Sequence, residues 1–205
     1  MYEKRANEVV GLFEKLSFYP YALDEEGKEK IRKKIVRMYK KGDDTVKGMI
    51  VFYVNEKLSN IEKFRQTLNM DKAKGMKAKD PRTFVVKEML NYFNSLDGQF
   101  FLLDLLKDFD DELALRLLHH YLTRYLSLPG KSFQLLAQRA ICNLGESNNP
   151  FALELLLSLR GVDDESLYVA LDKWRRKIDK LRIDEGKKKK LKELFANEEG
   201  KHFFS

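Results

Sequence analysis

The stretch from Phe133 to Leu181 limits the fold most, because its apolar residues recur at helical spacing on segments joined too tightly to bury only one side. Phe133, Leu136, Ala137, Ala140, Ile141 and Leu144 follow i, i+3, i+4, i+7, i+8 and i+11, one unbroken helical face with two alanines where a neighbour can approach. Gly145 is expected to end this helix in the left-handed conformation. Asn149 and Pro150 suit the N-cap and first position of the next helix, in which Ala152, Leu155, Leu156 and Leu159 are again in phase. Gly161 stops that helix and Asp163 or Asp164 caps a third, whose stripe is Leu167, Ala170, Leu171, Trp174, Ile178 and Leu181. The expectation is an all-α fold in which helices are packed on both flanks.

The same period runs through most of the chain. A first helix around Tyr2 to Leu16 is followed by one begun near Asp24, with Ile31, Ile35, Met38 and Tyr39 on one face and Lys30, Lys33, Lys34, Arg37 and Lys41 on the other. A third is expected from Asp43 to about Met70, carrying Val46, Ile50, Tyr53, Val54, Leu58, Ile61, Phe64 and Leu68. The lysine-rich segment around Gly75, ending at Pro81, reads as a loop. Asp80 and Pro81 suit the start of a further helix. Another begins near Gly98 with "FFLLDLL", apolar nearly all round. Asp110, Asp111 and Glu112 open the next, with Ala114, Leu117, Leu118, Tyr121, Leu122 and Tyr125 facing inward. The organisation expected is an N-terminal helical block over 1–70, a loop over 71–80, helical repeats over 81–183 and a basic helix or tail over 184–205.

Self-similarity supports repeats. "DDELALRLLHHYL" from Asp110 matches "DDESLYVALDKWR" from Asp163, and "FLLDLL" from Phe101 matches "FALELL" from Phe151, at unequal offsets, so the repeat is degenerate. "RAICNLGESNNPFALELLLSL" followed by "DDESLYVALDKW" resembles a HEAT-like or armadillo-like repeat, over 131–183 and more loosely over 81–183, with the N-terminal block outside it. That resemblance implies a right-handed α-solenoid of stacked, degenerate helix pairs, serving as a macromolecule-binding scaffold with no particular reaction. Some HEAT-like proteins are DNA glycosylases of the alkylation-repair type, which use aromatic, acidic and basic residues around a damaged nucleotide. Trp174, beside Asp172, Arg175 and Arg176 and with Lys173 and Lys177 adding charge, is the one constellation of that kind, and it equally continues the apolar stripe.

Chemistry is otherwise sparse. His119 and His120 are adjacent, so on a helix they diverge by about 100° and do not share a metal as i, i+4 histidines do. His202 stands alone near the end, and the single cysteine, Cys142, cannot close a bridge within the chain. "KGDDTVKG" and "DEGKKKK" lack phosphate-loop spacing, there is no G-x-S-x-G, and the paired aspartates sit where helix capping explains them. No catalytic residue, metal or cofactor is expected. The charged N-terminal sequence and the absence of a long apolar run point to a cytoplasmic chain with no membrane segment.

Net charge is +7, but it is uneven: residues 1–80 hold 19 Lys/Arg against 13 Asp/Glu, 81–170 hold 8 against 12, and 171–205 hold 12 against 7. The function expected is a noncatalytic scaffold that binds a protein, with Asp108, Asp110, Asp111, Asp163 and Asp164 in the acidic middle as candidate contacts. Charge reversal at the last four is expected to weaken capture and leave helicity intact. The alternative is nucleic-acid binding through Lys30, Lys33, Lys34, Arg37 and Lys41 at one end. At the other end it would use Trp174, Arg175, Arg176 and the run Lys187 to Lys190.

Overall fold

A computed structural model describes residues 2–19, 23–73, 91–159, 161–181 and 183–202, and every regular element among them is helical. The chain divides into two compact units, Met1–Phe109 and Asp110–Ser205. No helix among the described residues is long and apolar enough to cross a membrane.

The first unit contains α1 (Tyr2–Ser17), α2 (Glu25–Lys41), α3 (Asp44–Ser59), α4 (Ile61–Ala73), a 3₁₀ turn (Tyr92–Asn94) and α5 (Leu96–Phe109). Asp24 and Asp43 cap α2 and α3 by accepting the backbone N–H groups of Gly27 and Val46 at 2.7 and 3.0 Å. Both helices bury most of the stripes expected of them, Ile31, Ile35 and Tyr39 on α2 and Val46, Ile50, Val54 and Leu58 on α3, whereas Met38 and Tyr53 are half-buried.

The single long helix expected from Asp43 to about Met70 is two helices. Asn60 leaves the helical region (φ −81°, ψ 53°), and its carbonyl then accepts Phe64 N–H at 3.1 Å to start α4. Ser59 donates its hydroxyl to the Glu56 carbonyl at 2.9 Å, so two short polar side chains meet where the helix breaks. The break lets Ile61 and Phe64 turn into the core. The helix α4 also carries Asp71 to Ala73, the first residues of the expected loop, while the rest of that loop and the helix expected from Asp80 and Pro81 lie outside the described residues.

α5 begins at Leu96, slightly before Gly98, because the Ser95 hydroxyl accepts Gly98 N–H at 3.1 Å. It is buried on most sides through Phe101, Leu102, Leu103, Leu105, Leu106 and Phe109, as its sequence anticipates. Tyr39 stacks on Phe109 with ring centroids 3.9 Å apart, which ties α2 to α5.

The second unit contains α6 (Glu112–Leu126), α7 (Lys131–Glu146), α8 (Phe151–Leu157), α9 (Glu165–Lys177), a 3₁₀ turn (Ile178–Lys180) and α10 (Glu185–His202). α7 is the middle helix and packs against α6, α8 and α9, which is why Phe133, Leu136, Ala137, Ala140, Ile141 and Leu144 are all buried. α6 turns Leu115 inward with the expected Leu118, Tyr121 and Tyr125, whereas Leu117 is half-buried. Likewise α9 buries Leu167, Ala170 and Trp174, and Leu171 is only half-buried.

Gly145 does not end α7 in a left-handed conformation: the helix continues through it to Glu146, and the positive-φ glycines among the described residues are Gly130 and Gly161. The missing side chain serves a close approach instead. A Cβ on Gly145 would stand 2.8 Å from the Ala170 Cβ and 2.9 Å from its Cα, so α7 and α9 meet at that point almost backbone to backbone. Asn149 and Pro150 do start α8, with the Asn149 side-chain oxygen accepting Phe151 N–H at 3.1 Å. Gly161, at φ 83°, turns the chain between α8 and α9.

Candidate functional site

In the second unit α7 runs parallel to α9 and α6 to α8. Gln138 near the middle of α7 donates to the Asp164 carboxylate before α9 at 3.3 Å, and Glu146 at the end of α7 pairs with Lys173 late in α9 at 3.5 Å. On the other side the Arg116 guanidinium of α6 lies 4.5 Å over the Phe151 ring at the start of α8, and His119 Nε2 lies 2.9 Å from Ser158 Oγ just past its end. α7 lies over α9 and α6 over α8 in the same sense, two layers of two helices.

The outer face of the α7–α9 layer is identified by those links. Leu135, Cys142 and Glu146 stand one, two or three turns apart on α7, and Val169 stands one turn before Lys173 on α9. Leu135, Tyr168 and Val169 are exposed at 36%, 48% and 47%, unusual for apolar side chains on helices whose other apolar residues are almost all interior.

A second constellation closes the end of the same layer. Trp174 is fully buried and its indole N–H donates to the Leu144 carbonyl at 3.0 Å. One turn later Lys177 donates from Nζ to the Gly145 carbonyl at 3.0 Å and also to the Ser147 carbonyl, with the ammonium 3.7 Å from the Trp174 ring centroid. These groups occupy carbonyls that a helix end leaves without partners. Asp110 reaches the same point in a left-handed backbone conformation, φ 55°, accepting the Ser147 hydroxyl at 2.5 Å while its own carbonyl accepts from the Asn149 amide at 3.2 Å. Burial lowers the Lys177 ammonium to about 8, helped by Lys173 and opposed by Asp110 and Glu146. A neutral amine would still have two N–H donors for the two carbonyls, so the arrangement works as a clasp in either protonation state.

The five candidate acids are therefore not alike. Asp108 is half-buried and accepts both Nε and Nη2 of Arg32, at 2.9 and 2.6 Å. Asp111 caps α6 through Ala114 N–H at 2.9 Å, and Asp164 caps α9 through Ser166 N–H at 2.9 Å. With Asp110 engaged by Ser147, only Asp163 is exposed without a structural role among the described residues. Reversing Asp110, Asp111, Asp163 and Asp164 together would therefore remove the caps of α6 and α9 and the Asp110–Ser147 hydrogen bond along with any partner contact.

The candidate cations divide as well. Lys30, Lys33 and Lys34 pair with Glu26, Glu29 and Glu8 at 2.6, 3.6 and 2.7 Å. Arg37 and Lys41 make no ion pair among the described residues and line a groove of about 230 Å³ with Arg5, Glu8, Met38 and Val46, Arg5 itself being paired with Asp43 at 3.4 Å. Arg176 pairs with Asp172 at 2.5 Å, Arg175 is exposed, and Lys187 to Lys190 lie on α10, where Lys188 meets Glu185 at 2.8 Å. Trp174 is closed to a nucleobase in this conformation. His119 and His120 diverge, the first to Ser158 and the second edge-on to Tyr121 with centroids 5.2 Å apart.

In the sequence Lys177 stands only as one of the cations around Trp174, with nothing to mark it as a clasp on α7, and the left-handed turn at Asp110 has no signal there. Comparison of the chain with protein-family models, with curated proteins and with solved structures finds no match.

Proposed function

We propose that the second unit is a short right-handed, HEAT-like stack of two degenerate helix pairs, α6 with α7 and α8 with α9, and that the protein is a noncatalytic scaffold. The observation that carries this reading is the parallel stacking of like helices, Gln138 to Asp164 and Glu146 to Lys173 in one layer and Arg116 to Phe151 and His119 to Ser158 in the other. Such stacks leave one layer's outer face for a partner. Here that face carries Leu135 and Val169 as apolar anchors, with the Glu146–Lys173 pair beside them to set orientation. Asp163 is the acidic residue able to join it without disturbing a helix end.

A photo-crosslinking amino acid placed in turn at Leu135, Val169, Thr123 and Glu154, all exposed, tests the face in cells. The expected result is one discrete adduct from Leu135 and Val169 and none from Thr123 or Glu154. No adduct at any position, or equal adducts at all four, overturns the reading.

Nucleic-acid binding is favoured by one observation, Arg37 and Lys41 without an ion pair among the described residues and beside Arg5. It calls for anisotropy titrations with single-stranded DNA, duplex DNA and a structured RNA between about 50 and 200 mM salt, where several phosphate contacts give a steep loss of affinity. Binding that persists at the upper end and falls with R37E and K41E supports it, and equal loss for all three ligands removes it.

A further inference from the structure

The outer face of the α7–α9 layer carries its charges in a definite order. Arg139 and Glu146 stand two turns apart on the exposed side of α7, and Glu165 and Lys173 stand two turns apart on the exposed side of α9. The Gln138–Asp164 hydrogen bond and the Glu146–Lys173 ion pair set the two helices level. Arg139 is thereby placed across from Glu165 at one end, and Glu146 across from Lys173 at the other. The four are corners of a square whose signs alternate, positive then negative along α7 and negative then positive along α9. Cys142 and Val169 fall midway between the corners of their helices. Val169 is exposed and Cys142 half-buried, so the centre of the square is apolar and open.

An alternating square is complementary to itself. A two-fold axis lying in the face, directed along the helices or across them, turns a second copy over so that each positive corner meets a negative one. The same operation brings the two apolar centres together, an apolar middle inside a charged rim. A face of one sign would repel its own copy, as the net charge of +7 does at long range. Pairing within the chain does not cancel this order. Glu146 and Lys173 share their ion pair at 3.5 Å with both side chains still accessible, and exposed pairs of this kind are weak enough to be shared with a further charge. Glu165 is exposed and has no ion pair among the described residues. With α7 about 24 Å long and α9 about 9 Å beside it, the face offers roughly 500 Å² per copy, so a pair buries about 1,000 Å², the lower end for a specific contact.

We propose that the occupant of this face is a second copy of the chain, held as a reversible two-fold dimer with Val169 and Cys142 of each copy at its centre. The inference rests on the partner face read above and names what fills it. Leu135, one turn before Arg139 on the same stripe of α7, extends the apolar contact. Every residue the contact needs lies in the second unit.

The test is sedimentation equilibrium of the full chain between about 1 and 300 μM at about 0.15 M salt. The mass is expected to rise from 24.2 kDa towards twice that value and to stop there, since a two-fold contact closes on itself. Glu165→Lys brings like charges together at both symmetric positions and should raise the dimer dissociation constant about tenfold. Glu154→Lys, exposed on the other layer, alters the net charge equally and should leave the constant unchanged. Val169→Lys should leave monomer alone. Circular-dichroism melts confirm that the variants, all at exposed positions, keep the fold of the parent. Growth past the dimer, equal weakening by Glu165→Lys and Glu154→Lys, or a dimer indifferent to Val169→Lys overturns the proposal. A chain that stays monomeric while Leu135 and Val169 still give a discrete cellular adduct refutes the second copy alone, and the absence of both refutes the face as well.

Discussion

Replacing Gly145 with alanine sets two effects of known sign against each other. Alanine is better than glycine in a helix interior by up to about 1 kcal/mol, so propensity alone makes the change stabilising. The structure reverses that sign. The added Cβ would meet Ala170 Cβ at 2.8 Å and Ala170 Cα at 2.9 Å, and the second of these is backbone, which cannot rotate away. Overpacking of this kind costs roughly 1–3 kcal/mol. Relief by moving α9 outward would lengthen the Trp174 to Leu144 hydrogen bond, now 3.0 Å, and leaving that buried carbonyl without a partner costs about 1–3 kcal/mol. The net expectation is a loss of about 1–3 kcal/mol in the second unit. Urea unfolding followed by the chain's one tryptophan, Trp174, reads that unit selectively. Gly48→Ala on α3 is the control, because a Cβ there meets nothing within 4 Å and should bring the ordinary helical gain. Combining Gly145→Ala with Ala170→Gly removes the clash between the two methyl groups but leaves the new methyl pressed on the backbone of α9, so part of the loss should return. If Gly145→Ala stabilises the second unit, the close approach of α7 and α9 is not as described.

Three further expectations concern titration and capping. Lys177 is lowered to about 8 in the fold, below its unfolded value, so the unfolded chain binds more protons in the interval above 8 and stability should rise with pH there. The rise should end near pH 10, where buried Tyr125, its pKa raised mainly by burial, begins to oppose it; Lys177→Met should flatten the profile of urea midpoints between pH 8 and 10. His119 is lowered by burial and then by His120, so the fold prefers the neutral ring, and stability should fall as pH drops below about 6.5, a slope that His119→Gln removes from thermal midpoints. Asp111→Ala should cost about 1 kcal/mol by uncapping α6, whereas Asp163→Ala, at an exposed site without a structural bond, should stay within about 0.5 kcal/mol in the same urea assay.

Helical period and capping residues were legible in the sequence because they act over a few neighbours. Asp24, Asp43, Asn149 and Asp164 each cap through a backbone N–H two or three residues ahead, and the α7 stripe is buried residue for residue. What sequence reasoning missed depends on groups far apart in the chain. Gly145 next to Ser147 and Asn149 looks like a helix terminator, and only the presence of Ala170 shows why a side chain is absent there. Asp110 beside Asp111 looks like a second capping acid, yet its conformation answers to Ser147 and Asn149. The break at Asn60 is local, but a continuous apolar stripe through Leu58, Ile61 and Phe64 hides it, since those residues are buried on either side of the bend. Nothing in the pattern of lysines distinguishes Lys177 from its solvated neighbours, because a lysine stem reaches several ångströms from its own position.

The placing of α7 between α6 and α9 has a consequence for a chain made from its N-terminus. When Glu146 leaves the ribosome, α6 can already cover one flank of α7, but the other flank, with the Leu144 and Gly145 carbonyls at its end, has no cover until Trp174 and Lys177 have been made. At about 5–20 residues per second that interval is on the order of seconds, far longer than a helix needs to form. For that time the nascent chain presents an apolar helix flank of its own to whatever is near, and the arrival of one tryptophan closes it.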